Sequence, residues 1–200
     1  MNSNSYEAED LQLTENLIFK PNGLSINQIP RGEGKSADLE VLLNEITVAY
    51  CELKSPHDGW LDNLIDTAQT YEIVGGIRSD PVFKKITKHA NKASKQFEAV
   101  NPERTVPNIL VFVNHDDISD FGDLIETFTG QFHAADGSRH LTMVDIALSL
   151  GRAKKNIDLC VWIDKRTLLV QGFFFNRDTH PNYLSQLCLL FRKNPADIKY

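Results

Sequence analysis

The sequence predicts an α/β fold with a mixed central β-sheet flanked by helices, and three observations lead there. Two largely apolar runs, 38–43 and 46–54, lie back to back around Asn44-Glu45, as in a hairpin. The segment 107–114, PNILVFVN, is apolar without alternation, as a strand buried on both faces must be. Between them, residues 81–100 carry apolar side chains at helical spacing. Strands that pair first and helices that interleave later give a sheet of mixed direction.

The elements follow in order. Residues 5–19 read as a weak helix, and 20–38 as a loop. The hairpin strands come next, DLEVLL and ITVAYCELK. Residues 57–74 read as a helix that starts near His57-Asp58 and stops at Gly75-Gly76. Asp80 is placed to cap the following helix, with Pro81 in its first turn. Phe83, Ile86, Ala90, Ala93, Phe97 and Val100 then form one apolar stripe. After the 107–114 strand, 119–132 is helical, with Asp117 or Ser119 as its cap, and 141–151 is helical again. Strands at 157–164 and 167–175 flank a turn at Lys165-Arg166, and 181–191 closes the chain as a helix.

Composition narrows the function. Two hundred residues suit one domain, spanning 1–200. No apolar run is long enough to span a membrane. The N-terminus is polar and acidic, unlike a signal peptide, so a cytoplasmic location is expected. Cys51, Cys160 and Cys188 lack metal-ligand spacing and read as buried free thiols. A net charge of −6 argues against a surface that binds nucleic acid everywhere, while leaving room for a local basic patch. The 81–100 helix supplies one: Lys84, Lys85, Lys88, Lys92 and Lys95 centre near about 150° where the apolar stripe centres near about −50°. Such a stripe is either a solvated face or a track for a phosphate backbone. Gln96 falls on the border between the two stripes.

Two motif-like stretches reduce to turns. GEGKS, 32–36, lacks the first glycine of a phosphate-binding loop, since Ile29 stands there, and a strand rather than a helix follows. NHDD, 114–117, follows a buried strand without a second ligand set and reads as a turn.

Glu52 and Lys54 are different. Positions two apart in a strand share a face. A three-residue loop over 44–46 sets Asp38 opposite Glu52 and leaves Leu39, Val41, Leu43, Ala49 and Cys51 on the other, apolar face. A two-residue loop puts the carboxylates on opposite faces, and both loops are compatible with the sequence. Two facing carboxylates repel unless neutralised, and Mg²⁺ or Mn²⁺ does this with oxygen ligands. The carbonyl of Leu53 offers a third oxygen, and Lys54 stands beside the ion, placed to orient a water or stabilise charge at phosphorus.

SAD (36–38), then ELK (52–54), resembles the PD-(D/E)xK nuclease superfamily, the restriction endonuclease-like fold. Asp38 matches its aspartate, Glu52 its second acid and Lys54 its lysine, while Ala37 stands where proline is frequent. The later helix and strand also match, so the resemblance spans about 33–114. Some branches carry a glutamine in that helix, the place of Gln96, though Val100 replaces the tyrosine that follows it. The resemblance implies a Mg²⁺-dependent (or Mn²⁺-dependent) phosphodiesterase acting on nucleic acid, with DNA the expected polymer, in defence, restriction or repair. It assigns Asp38, Glu52 and Lys54 to catalysis; Asp38, Glu52 and Leu53 to the metal; and Lys88, Lys92, Lys95 and Gln96 to the nucleic acid. An N-terminal glutamate, Glu9 or Glu15, is expected to complete such a site, and cutting both strands implies a homodimer. The alternative is a catalytically silent endonuclease-like module that binds a protein partner.

Overall fold

The computed structural model describes residues 3–30, 37–56, 82–116, 119–134, 136–141, 144–178 and 180–198. The expected helix at 57–74, its glycine stop, the Asp80-Pro81 cap, GEGKS, His57-Asp58 and Asp117 all lie outside these residues. A six-stranded mixed sheet forms the centre. Its strands are β1 (Ser25–Gln28), β2 (Leu39–Leu43), β3 (Ile46–Lys54), β4 (Asn108–Asn114), β7 (Leu159–Asp164) and β8 (Leu169–Phe175), side by side in that order. The pairs β3/β4 and β4/β7 are parallel, and the outer pairs are antiparallel. A separate hairpin pairs β5 (Gln131–His133) with β6 (Arg139–Leu141).

Strand alternation sorts the core into two layers. On one face Val41, Ala49, Cys51, Val111 and Val161 pack under Ile18, Phe19 and the C-terminal helix residues Leu187 and Cys188. On the other face Leu110, Phe112, Cys160 and Trp162 pack under Ile86, Ala90, Ala93 and Phe97. These last four belong to α2 (Val82–Val100), the long helix whose apolar stripe the spacing predicts. The first helix, α1 (Ser3–Thr14), runs on through a wider π turn and a 3-10 turn to Gly23, whose φ of 72° ends it. Among the described residues no helix is long and apolar enough to cross a membrane. The three cysteines are free and buried, as expected.

Several expectations need correction. The segment read as a loop contains β1, a short polar edge strand whose sequence, SINQ, lacks the apolar alternation that marks a strand. Asp120, not Asp117 or Ser119, caps α3 (Phe121–Thr129), in a reciprocal capping box with Asp123. α3 ends at Gly130, φ 72°, and Gln131 begins β5 instead of prolonging the helix. The single helix expected at 141–151 is two short ones, α4 (Val144–Ser149) and α5 (Gly151–Asn156), separated at Leu150. The last helix, α6, spans Pro181–Leu190. The turn between β7 and β8 extends to Leu168, whose φ is 55°, so β8 starts at Leu169.

The hairpin loop combines the two alternatives. Asn44 and Glu45, φ 50° and 66°, make a two-residue turn of the left-handed kind that suits a hairpin. Leu43 pairs with Ile46 and Leu42 with Thr47, but Val41 pairs with Ala49, so Val48 is an extra, bulged residue. Beyond the bulge the register becomes the one a three-residue loop would give, with Leu39 opposite Cys51. Asp38 thereby comes up against Glu52.

Candidate active site

The site sits where β3 leaves the core, under α2. Asp38 ends the loop ahead of β2, and its backbone N–H donates to Glu52 Oε2 at 3.1 Å. The Leu53 N–H donates back to Asp38 Oδ2 at 3.0 Å. In an extended strand a residue's N–H and C=O point to the same side, so the Leu53 carbonyl also faces the Asp38 edge. Lys54 Nζ donates to Glu52 Oε1 and to Gln96 Oε1, the latter at 3.1 Å. The structure thus brings together Asp38, Glu52, Leu53, Lys54 and Gln96.

Burial shapes the electrostatics. The Glu52 side chain is 0% exposed and that of Lys54 8%. Burial pushes the Glu52 carboxyl up to about 7; the Lys54 charge pulls the other way, and the nearby Asp38 carboxylate adds to the rise. Hydrogen bonds from Lys54 and Gln96 favour its ionised form. A carboxyl this deep is costly to ionise without a cation. Two carboxylates and one backbone carbonyl are hard oxygen donors, which suit Mg²⁺ or Mn²⁺ with water and phosphate filling the remaining positions. The donor set therefore fits a divalent ion. Among the described residues no group of three or more His, Cys, Asp and Glu side chains gathers into a metal cluster.

Lys84, Lys88, Lys92 and Lys95 are exposed along α2, and Lys85 is half-buried. Gln96 leaves that row: it is buried, and it accepts from Lys54. The two N-terminal glutamates are engaged elsewhere. Glu9 pairs at the surface with Lys165 (3.4 Å) and Glu15 with Lys20 (3.3 Å).

The buried acid of α1 is Asp10, 0% exposed. Ser55 Oγ donates to it at 2.6 Å, His115 Nε2 lies at 2.9 Å and Lys165 Nζ at 3.5 Å. Ser55 alternates with Lys54, so Asp10 meets the end of β3 from the opposite face of the sheet. There it anchors α1. The sequence does hold a signal for it: Asp10 precedes the buried Thr14 by four residues and Leu17 by seven, on one helix stripe.

Comparison with protein-family models, curated proteins and solved structures finds no match to this chain. Its function is therefore read from the geometry of the site.

Proposed function

We propose that this chain is a divalent-metal-dependent phosphodiesterase that cuts nucleic acid, with DNA the expected polymer, on a restriction endonuclease-like fold of the PD-(D/E)xK type. One observation carries the reading. Asp38, Glu52 and Lys54 converge at one strand end, although the hairpin needs a bulge at Val48 to bring Asp38 into register. An exposed edge salt bridge, worth only about 0–1 kcal/mol, would need neither Asp38 nor burial, whereas Glu52 and Lys54 are buried beside Asp38.

Each residue has a separate task. Asp38 and Glu52 hold the ion through their carboxylates, and Leu53 through its carbonyl. A bound Mg²⁺ or Mn²⁺ supplies Lewis-acid polarisation of the phosphate and a more acidic water. Lys54, oriented by Gln96, keeps an ammonium at the edge of the carboxylate pair, where it orients the attacking water or stabilises charge at phosphorus. The exposed lysines of α2 attract the backbone, a local basic face on a chain whose net charge is −6.

The test is cleavage of a plasmid and of DNA and RNA oligonucleotides with Mg²⁺ or Mn²⁺, run alongside calorimetric metal titration. Wild type should cut and should stop cutting in chelator. Lys54→Ala should bind metal at least as tightly, since a like charge is removed, yet lose about 100-fold or more in turnover. If wild type binds no divalent ion at millimolar concentration and cuts nothing, the nuclease reading fails and the silent interaction module replaces it.

A further inference from the structure

Helix α2 turns a second polar side chain, His89, toward the sheet. His89 precedes Gln96 by seven residues, so the two project within about 20° of each other, ~10.5 Å apart along the axis. α2 runs antiparallel to β3 and β4, because its C-terminal end meets the start of β4 through Asn101 Nδ2, which donates to Asn108 Oδ1 at 2.9 Å. His89 therefore lies beyond Gln96 toward the carboxyl ends of the strands, where ligands enter α/β sheets.

The ring of His89 meets Phe112 edge-on, with centroids 6.4 Å apart and planes at 83°. Phe112 pairs directly with Lys54 across β3 and β4. The imidazole thus stands one strand over from the ammonium of the site. It is half-buried, and among the described residues neither ring nitrogen has a hydrogen-bond partner. Four lysines surround it: Lys85, Lys88 and Lys92 from α2, and Lys54 from β3. Its contact on β4 is a hydrocarbon ring, Phe112. Burial first, then those positive charges, pull the imidazole down to about 4, so it is neutral near pH 7.

We infer that His89 is a substrate-contacting residue of the proposed nuclease site, hydrogen-bonding the phosphate next to the one that is cut; this rests on the nuclease reading. A phosphodiester accepts hydrogen bonds only, and imidazole is the one donor here whose charge answers to its surroundings. When a strand of phosphates neutralises Lys85, Lys88 and Lys92, their share of what keeps the ring uncharged is lifted, while burial and Lys54 remain, and the phosphate beside the ring favours its charged form. Binding the polymer then draws a fraction of a proton onto His89.

The experiment compares wild type with His89→Gln and His89→Phe. Phe keeps the packing on Phe112 but cannot bond a phosphate, whereas Gln keeps a donor. Cleavage kinetics should show KM raised about tenfold in His89→Phe, with a smaller rise in His89→Gln. Calorimetry of oligonucleotide binding near pH 6, with Ca²⁺ as the ion and in two buffers of different ionisation enthalpy, should show proton uptake in wild type and none in either variant. Thermal melts check folding. The native ring titrates below its ordinary value of 6.5, so as pH falls through that range wild type loses stability relative to both variants, against the opposite trend that Glu52 sets in all three. If wild type cuts and His89→Phe matches it in KM and in proton uptake, the inference is overturned and the nuclease reading survives. If wild type neither binds nor cuts nucleic acid, both fall.

Discussion

Raising the pH from 6 to 8 should tighten divalent-metal binding about tenfold, because Glu52 must give up a proton to become a ligand. Burial puts its carboxyl at about 7 rather than the ordinary 4.5. Below pH 7 each further unit of acid then weakens apparent affinity about tenfold, equivalent to about 1.4 kcal/mol. Close to one proton should be released per ion bound at pH 6, and almost none at pH 8. The metal-free protein carries the opposite side of the same linkage. An acid whose folded value lies above its unfolded value keeps its proton longer in the folded chain, so stability falls as pH rises from about 4.5 to about 7. The gap between those two values caps the loss at about 3 kcal/mol, and saturating Mn²⁺ at pH 8 should restore it. Calorimetric titration with Mn²⁺ at pH 6, 7 and 8, in buffers of different ionisation enthalpy, reads affinity and proton count together. An affinity and a proton count that stay flat from pH 6 to 8 would refute the assignment of Glu52 as a ligand.

Two further outcomes follow from other parts of the chain. Lys88→Glu with Lys92→Glu should weaken oligonucleotide binding and flatten its salt dependence by about 0.9 in log–log slope for each phosphate no longer neutralised, as read by fluorescence anisotropy across a salt series; an unchanged slope would leave the stripe as plain solvated surface. Glu45→Gly should raise stability by about 0.5–1 kcal/mol in urea denaturation, because Glu45 holds φ at 66°, a conformation that costs a residue with a Cβ and suits glycine. A loss of stability there would mean that the Glu45 side chain does more than close the turn.

The central strands and α2 are legible in the sequence because their signals are local. An unbroken apolar run and a 3.6-residue stripe are visible in any window that contains them. The acid pair is half legible. Spacing places Glu52 and Lys54 on one face, but whether Asp38 joins them depends on one bulged residue. A bulge at Val48 leaves no compositional mark: Val48 looks like any other strand residue. β1 escapes detection for a related reason. An edge strand of Ser, Ile, Asn and Gln is held by its partner β2, not by its own pattern. The resemblance points to Glu9 and Glu15, whereas the acid that α1 buries is Asp10, which docks on the far face through Ser55 and His115. His89 gives no signal because a lone histidine on a lysine-rich helix has no motif. Its meaning comes from the register that sets Phe112 beside Lys54.

The energetics of the site also bear on its purpose. Glu52 and Lys54 are an ion pair with almost no exposure, and taking two such charges out of water costs several kcal/mol each. The repulsion from Asp38 adds to that cost. A well-packed apolar pair at these positions would hold β3 to α2 as well or better, since the rest of that layer is Leu110, Phe112, Ala93 and Phe97. Stability therefore does not account for the three charges. The same holds for His89, a ring held in its neutral form by burial and then by lysines, where a leucine would pack without penalty. Along one helix–sheet seam the fold places a carboxylate that burial destabilises, a second carboxylate beside it, a buried ammonium and an imidazole with no hydrogen-bond partner among the described residues, where one kind of ligand would relieve them. A cation relieves the carboxylates and a polyanion relieves the lysines, and a metal-bound phosphodiester brings both to the seam together.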